Sequence, residues 1–297
     1  MTARIVCAYS GAAGEWAAIS STAEAHEADI VTLTLDLGQG ADLEEVRDRA
    51  LAAGAVRAHV MDVREEFARD YVLPALHAGA LDEGRDPMAA ALARPLVGRK
   101  LVEIAAIEEA KDAIDVSGIH ANLWGRVGNA YTVTKSPAQA PDTPAEAEIL
   151  FERGVPAAVN GVPMGLTELI EIVAIIAGHH GVGRIAMADR CGEAPAAIVL
   201  HAAHRALETC VSSPDLAPLK QQVGVTYARL VRDGLWFTPL REALDAFSAR
   251  VQEHVTGSVR IRLLKGRHTV LECQAADADP QSPIPDPHTA ASVVPQV

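Results

Sequence analysis

Through the N-terminal third of the chain, short, mainly apolar runs alternate with helically spaced segments. "RIVCAY" (Arg4 to Tyr9) and "IVTLTLDL" (Ile30 to Leu37) are short apolar runs with β-branched residues, the pattern of strands. Between the second and third runs, "LEEVRDRALAAG" has helical spacing. Asp42 stands there as N-cap, Glu45 follows three residues on, and Gly54 closes the last turn. "AVRAHVMDV" (Ala55 to Val63) supplies a third strand. A β-α-β-α-β order predicts a parallel sheet, and such sheets bind ligands beyond the carboxyl ends of their strands. Ser10 to Gly14 and Asp36 to Gly40 therefore fall at the ligand end.

Helical spacing continues around Glu65 to His77 and Met88 to Glu109, and the β-α rhythm then stops in "KDAIDVSGIHANLWGRVGN". The Pro-rich "SPAQAPDTPAEAE" reads as a linker or long loop. A boundary near Ser117 divides residues 1–117, an α/β domain, from an α+β domain over 118–273. "EILFERGVPAAVNGVPM" reads as hairpins turning at Arg153-Gly154 and Asn160-Gly161, and "GSVRIRLLKGRHTVLEC" as a closing hairpin around Lys265-Gly266. An apolar stripe (Leu166, Leu169, Ile170, Val173, Ile176, Ala177) predicts a helix. First-turn prolines at Pro195 and Pro239, the latter behind Thr238, predict helices over 195–210 and 239–253. From Gln274 to 297 the chain is Ala, Pro, Asp and Ser without periodicity, the composition of a disordered tail.

Composition narrows the function classes. A formal net charge of −13 with no Lys/Arg cluster argues against a nucleic-acid partner. No apolar run reaches membrane-spanning length, and "MTARIVCAYS" enters a strand without a signal-peptide pattern, so a cytoplasmic protein with no membrane partner is expected. Cys7, Cys191, Cys210 and Cys273 lack the paired spacing of zinc ligands or a disulfide framework and read as reduced core thiols. His201 and His204 share a helix face, but no third ligand accompanies them, so no metal site is expected and they read as surface or interface histidines.

The turn after the first strand carries the candidate chemistry. "CAYSGAAGEWAA" (Cys7 to Ala18) runs from strand through small residues into a helix, as phosphate-cradling loops do. With "AYSG", the chain also contains "LTLDLGQGADLEEVRDRALAAGAVRAHVMDVREEFARDYVLPALHAGAL", "LARPLVGRKLVEIA", "NLWGRV", "GVPAAVNGVP", "HGVGRI", "EAPAAIVLHAAHRALE" and "YARLVRDGLWFTPLREALDAF". Together these phrases resemble the argininosuccinate synthase family over most of residues 4–272. The resemblance implies a PP-loop, Rossmann-like nucleotide domain, incomplete here, followed by a synthase domain. The family reaction is ATP-dependent ligation of citrulline to aspartate in arginine biosynthesis, with Mg2+, in a homotetramer.

The resemblance also marks departures. The family loop S-G-G-x-D-x-S is "SGAAGEW" here, so Ala8, Tyr9, Ser10, Gly11 and Ala12, with Leu35 beside the adenine, form a degenerate ATP loop. Glu15 either opens the following helix or points at the phosphate site, and Trp16 is expected to fill the emptied cleft. Positions that contact citrulline or aspartate in the family are occupied by Asp86, Ala91, Val127, Ala188 and Gly192. The family's segment G-x-T-G-K-G-N-D-Q-x-R-F-E belongs between Lys111 and Asn122, where only "DAIDVSGIHA" remains. No catalytic residue can be named on this basis. Three readings follow: a synthase with lost or weakened activity, a non-catalytic partner or regulator of an intact synthase in a homo- or hetero-oligomer, and an ATP-using ligase retargeted to another substrate.

Overall fold

The computed structural model describes residues 3–12, 15–118, 120–187 and 189–276. The N-terminal half is built on a four-stranded parallel sheet in the order β3-β2-β1-β4. Its elements run β1 (Ala3–Ala8), α1 (Glu15–His26), β2 (Ala28–Asp36), α2 (Leu43–Ala52) and β3 (Arg57–Asp62). Next come α3 (Arg64–Phe67), one wide π turn (Ala68–Val72), α4 (Leu73–Ala78), α5 (Ala89–Ile107) and β4 (Asp112–Asp115). The fold is thus a parallel-sheet α/β unit, and α2 is capped as its sequence indicates, the Asp42 carboxylate accepting from the N–H groups of Glu44 and Glu45.

The strand β4 corrects the expectation that the β-α rhythm stops at Lys111. It pairs parallel with β1 over Ile5–Ala8, on the side away from β2. Four residues with aspartate at each end carry little apolar signal, and such a short, charged strand suits the sheet edge it forms. Because the chain crosses from β3 past β1 to reach β4, the switch point of the sheet lies between β1 and β4.

The remaining elements are β5 (Ala121–Asn122), β6 (Gly125–Gly128), β7 (Ala145–Glu152), β8 (Val155–Val159), β9 (Val162–Pro163), α6 (Leu166–His179), β10 (Arg184–Ala186) and β11 (Cys191–Glu193), then α7 (Pro195–Val211), α8 (Leu216–Arg232), α9 (Pro239–Gln252), β12 (Gly257–Leu264) and β13 (Arg267–Ala275). They make a small antiparallel sheet, β10-β11-β6-β5, and a larger one, β13-β12-β7-β8-β9. The hairpin turns sit where the sequence marks them, with positive φ at Arg153-Gly154, Asn160-Gly161 and Lys265-Gly266. The helix α8 carries no cap signal: Asp215 precedes it without a side-chain bond to its first turn. One apolar core joins Val6, Leu33 and Leu96 to Ile149, Leu169 and Leu200.

Three further expectations change. The closing strand β13 runs to Ala275, past the expected start of a tail at Gln274, because Gln274 and Ala275 pair with Ser258 and Gly257; residues 277–297 lie outside the described residues. His201 and His204 are buried rather than at the surface. The face of α7 that carries them is covered, and His204 Nε2 lies 2.7 Å from Gln252 Oε1. Cys210 is exposed on the last turn of α7, whereas Cys7 is a core thiol.

Candidate functional site

A cleft of about 250 Å3 opens beyond the carboxyl ends of β1 and β2, beside the switch point. Ala8, Tyr9, Ser10, Gly11, Ala12 and Leu35 all line it. Each is positioned by backbone: Ala8 pairs with Leu33 on one side and Asp115 on the other, and Leu35 pairs with Met61. Gly11 has φ +80°, and a Cβ there would meet Val46 Cγ2 at 2.7 Å, so the turn needs glycine. The Asp36–Gly40 turn is locked from within: Gly38 N–H donates to Asp36 Oδ1, Leu37 N–H to Gln39 Oε1, and Gln39 Nε2 to Leu35 O.

Glu15 dominates the polar end. It is the first residue of α1, and its carboxylate turns back onto the loop: Ser10 N–H donates to Oε2, Ser10 Oγ–H to Oε1 and Gly118 N–H to Oε1, each at 2.8 Å. Ser10 follows β1 and Gly118 follows β4, so one carboxylate spans the switch point, where ligands of parallel sheets gather. Backbone N–H groups and a hydroxyl converging on one anion are what a phosphate-binding turn offers. Here the anion is the protein's own. Burial raises the neighbouring Tyr9 phenol above its ordinary pKa, with Arg49 lowering it and Glu15 raising it further.

Trp16 does not fill the cleft; it is 60% exposed. Successive helix residues point about 100° apart. With Glu15 turned toward Ser10 and Gly118, its successor faces away. Sequence reasoning also missed Gly118, Ser117, His120 and Ala121, which line the cleft from the connection after β4. Recognising β4 would have placed them at the switch point.

The substituted substrate positions separate into two groups. Val127 and Gly192 pair directly across β6 and β11, and Val127 N–H donates to His120 O at 2.7 Å, which ties this pair to the cleft wall. Asp86 is engaged in its own turn, bridged to Asp82, with Met88 N–H donating to its Oδ1 at 2.8 Å. Ala91 packs on the core, and neither it nor Asp86 lines the cleft. Ala188 lies outside the described residues.

Beside Gly192, Glu193 is buried and collects a second set of donors. Thr132 N–H and Oγ1–H reach its Oε2, while Val133 N–H, Thr134 N–H and Thr134 Oγ1–H reach its Oε1. Burial alone would raise its pKa, but these bonds hold it below the ordinary carboxylate value.

The chain matches two family descriptions: the arginosuccinate synthase N-terminal HUP domain over residues 4–118 and the arginosuccinate synthase C-terminal domain over 113–278. The chain belongs to the argininosuccinate synthase family. It is 37% identical to the argininosuccinate synthase of Rubrobacter xylanophilus, with 90% of this chain and 84% of that protein covered. It is 36% identical to that of Symbiobacterium thermophilum, with 89% and 86% covered. The first alignment spans 346 positions although this chain has 297 residues, so the Rubrobacter synthase contains stretches with no counterpart here. Among the described residues, no helix is long and apolar enough to cross a membrane, and no group of three or more His, Cys, Asp or Glu side chains is placed to hold a metal ion.

Proposed function

We propose that this chain is an argininosuccinate synthase homologue whose ATP-dependent ligation of citrulline and aspartate is lost or much weakened. One observation carries the reading: the Glu15 carboxylate already takes the hydrogen bonds of Ser10 N–H, Ser10 Oγ–H and Gly118 N–H. A triphosphate needs those donors. To reach them it must approach within about 4 Å of a carboxylate, where two unit charges at an effective dielectric of about 20 repel by about 4 kcal/mol. That repulsion lowers affinity by about three decades. Arg49 lines the same cleft, but its guanidinium is paired with Glu45 at 3.3 Å and offsets only part of it. The residues present do not fit ATP with Mg2+.

The substrate side supports the same reading. Asp86 is spent on its own turn, and Val127 and Gly192 bring no hydroxyl to the small sheet. Donors and acceptors in an active site act together, and each lost one costs about 2.7–4 kcal/mol of transition-state stabilisation. The test is pyrophosphate release by the purified, folded protein with Mg-ATP, with and without citrulline and aspartate. No substrate-dependent release is expected. Release at the ~1–10³ s⁻¹ of ordinary enzymes overturns the proposal.

A further inference from the structure

We propose that Cys210 and Cys273 form a reversible intramolecular disulfide under a peroxide oxidant, and that this bond fastens the last strand of the larger antiparallel sheet to α7. The inference is independent of the ligation reading, since neither cysteine lines the cleft beyond β1 and β2.

The two thiols are far apart in sequence, with α8, α9 and β12 between them, and the packing of α7 on β13 brings them together. Cys273 Sγ lies 3.7 Å from Ala206 O, its acceptor. Ala206 and Cys210 are one helical turn apart and share a face of α7. The Cys273 thiol also hydrogen bonds to the Cys210 thiol. A disulfide needs its two side chains to approach closely and with little backbone movement. β13 forms the edge of its sheet and is paired with β12 alone, so a small shift of its end disturbs few bonds.

The two thiols differ in the way such a reaction requires. Cys210 is exposed, whereas Cys273 is half-buried among core side chains. Burial first, then the hydrogen bond to Cys210 and the charge of Cys210, push the Cys273 thiol up to about 12. Cys210 is therefore the sulfur that a dissolved oxidant meets, and Cys273 stays protonated beside it. The Cys210 thiolate attacks one oxygen of hydrogen peroxide. An S–O bond forms, the O–O bond breaks, and the departing hydroxide leaves as water with a proton from solvent. Cys210 is then a sulfenic acid and no longer carries the charge that helps hold the Cys273 proton. Cys273 Sγ displaces hydroxide from the Cys210 sulfur, and that hydroxide takes the Cys273 proton. In total two thiols and one peroxide give one disulfide and two waters; a dithiol reductant reverses the oxidation of the protein. The other two cysteines serve as internal controls, Cys7 buried in β1 and Cys191 on the small sheet.

The test treats the full, folded and reduced chain with a small excess of hydrogen peroxide, alkylates the remaining thiols in denaturant and maps the peptides without reduction. One pair of peptides joined through Cys210 and Cys273 is expected, with both thiols recovered by dithiothreitol. Cys191→Ser should behave as the wild type. Cys273→Ser should stop at a Cys210 sulfenic acid that dimedone traps. Should that variant fail to fold, Cys210→Ser, at an exposed position, must leave Cys273 alkylatable and abolish the cross-link. The oxidised wild type is expected to unfold at least about 4 °C above the reduced one, a difference absent from either variant. The proposal is overturned if Cys273 remains alkylatable after Cys210 has been oxidised, if Cys210 instead joins two chains, or if the cross-link leaves the unfolding midpoint unchanged.

Discussion

Glu15 and Glu193 make the same kind of contact in two different places. Each is a carboxylate accepting hydrogen bonds from the backbone of a segment far away in sequence: Glu15 from Gly118, Glu193 from Thr132, Val133 and Thr134. They differ in what surrounds them. Glu193 is 1% exposed and takes five bonds, so its carboxylate is closed to any ligand. Glu15 is half-buried beside a cleft that two of its donor residues, Ser10 and Gly118, line. A carboxylate on a set of backbone amides is therefore a structural clamp or an occupant of a binding site according to whether a ligand can reach it.

The largest effect limits the conditions under which this comparison is made. Burial pushes His204 down to about 3, and His201 and His77, where burial is joined by His204, to about 3 as well; Lys220 lowers all three, and Glu208 raises His77. The unfolded chain takes up these protons near the ordinary value of about 6.5 while the folded protein excludes them. Stability is then full above about pH 6.5 and is lost as pH falls toward about 3. At about pH 5 each fully excluded proton costs about 2 kcal/mol. Urea unfolding from about pH 7.5 to 5 is expected to show this decline equally in the wild type and in variants of either glutamate. A decline that begins only below about pH 4.5 would mean that carboxylates, not histidines, govern acid stability.

On the neutral plateau, Glu193→Ala is expected to lower stability by about 2–4 kcal/mol, because it strands the N–H and hydroxyl of buried Thr134 and leaves the Thr132 and Val133 N–H groups to solvent. Glu193→Gln keeps one acceptor oxygen and falls between. A loss below about 1 kcal/mol would place water on the Thr132–Thr134 loop and remove the distinction between the two sites. Cooperative denaturant unfolding with an unchanged slope is the measurement.

The sequence made some of these features readable and hid others for physical reasons. β1 and β2 were readable because buried parallel strands are short apolar runs with β-branched residues, β3 because its run follows a well-marked helix, and the hairpins because Arg-Gly, Asn-Gly and Lys-Gly pairs admit positive φ. β4 was hidden by its length and its terminal aspartates, and with it went the switch point and Gly118. For Glu15 the sequence offered two uses; the structure has it opening α1, with its carboxylate turned back onto Ser10 and Gly118. Glu193 gave no signal. Its donors lie about sixty residues back in an irregular stretch, and only the pairing of β6 with β11 brings them near.

The smallest expected effect is the most decisive for the comparison. Glu15→Gln should cost the free protein no more than about 1 kcal/mol. Its partners lie beside an open cleft, so water can replace the lost bonds to Ser10 and Gly118 at little net cost. The same substitution should protect against unfolding when inorganic phosphate is added, since an anion that binds only the folded state stabilises it by mass action. A cost as large as that of Glu193→Ala would reverse the assignment. Glu15 would then be the clamp that holds the shortened connection after β4 against β1, and the blocking of the anion turn would be a by-product of folding. A small cost together with phosphate-dependent stabilisation leaves Glu15 as an occupant of the site, displaceable in principle by the ligand that its carboxylate now stands in for.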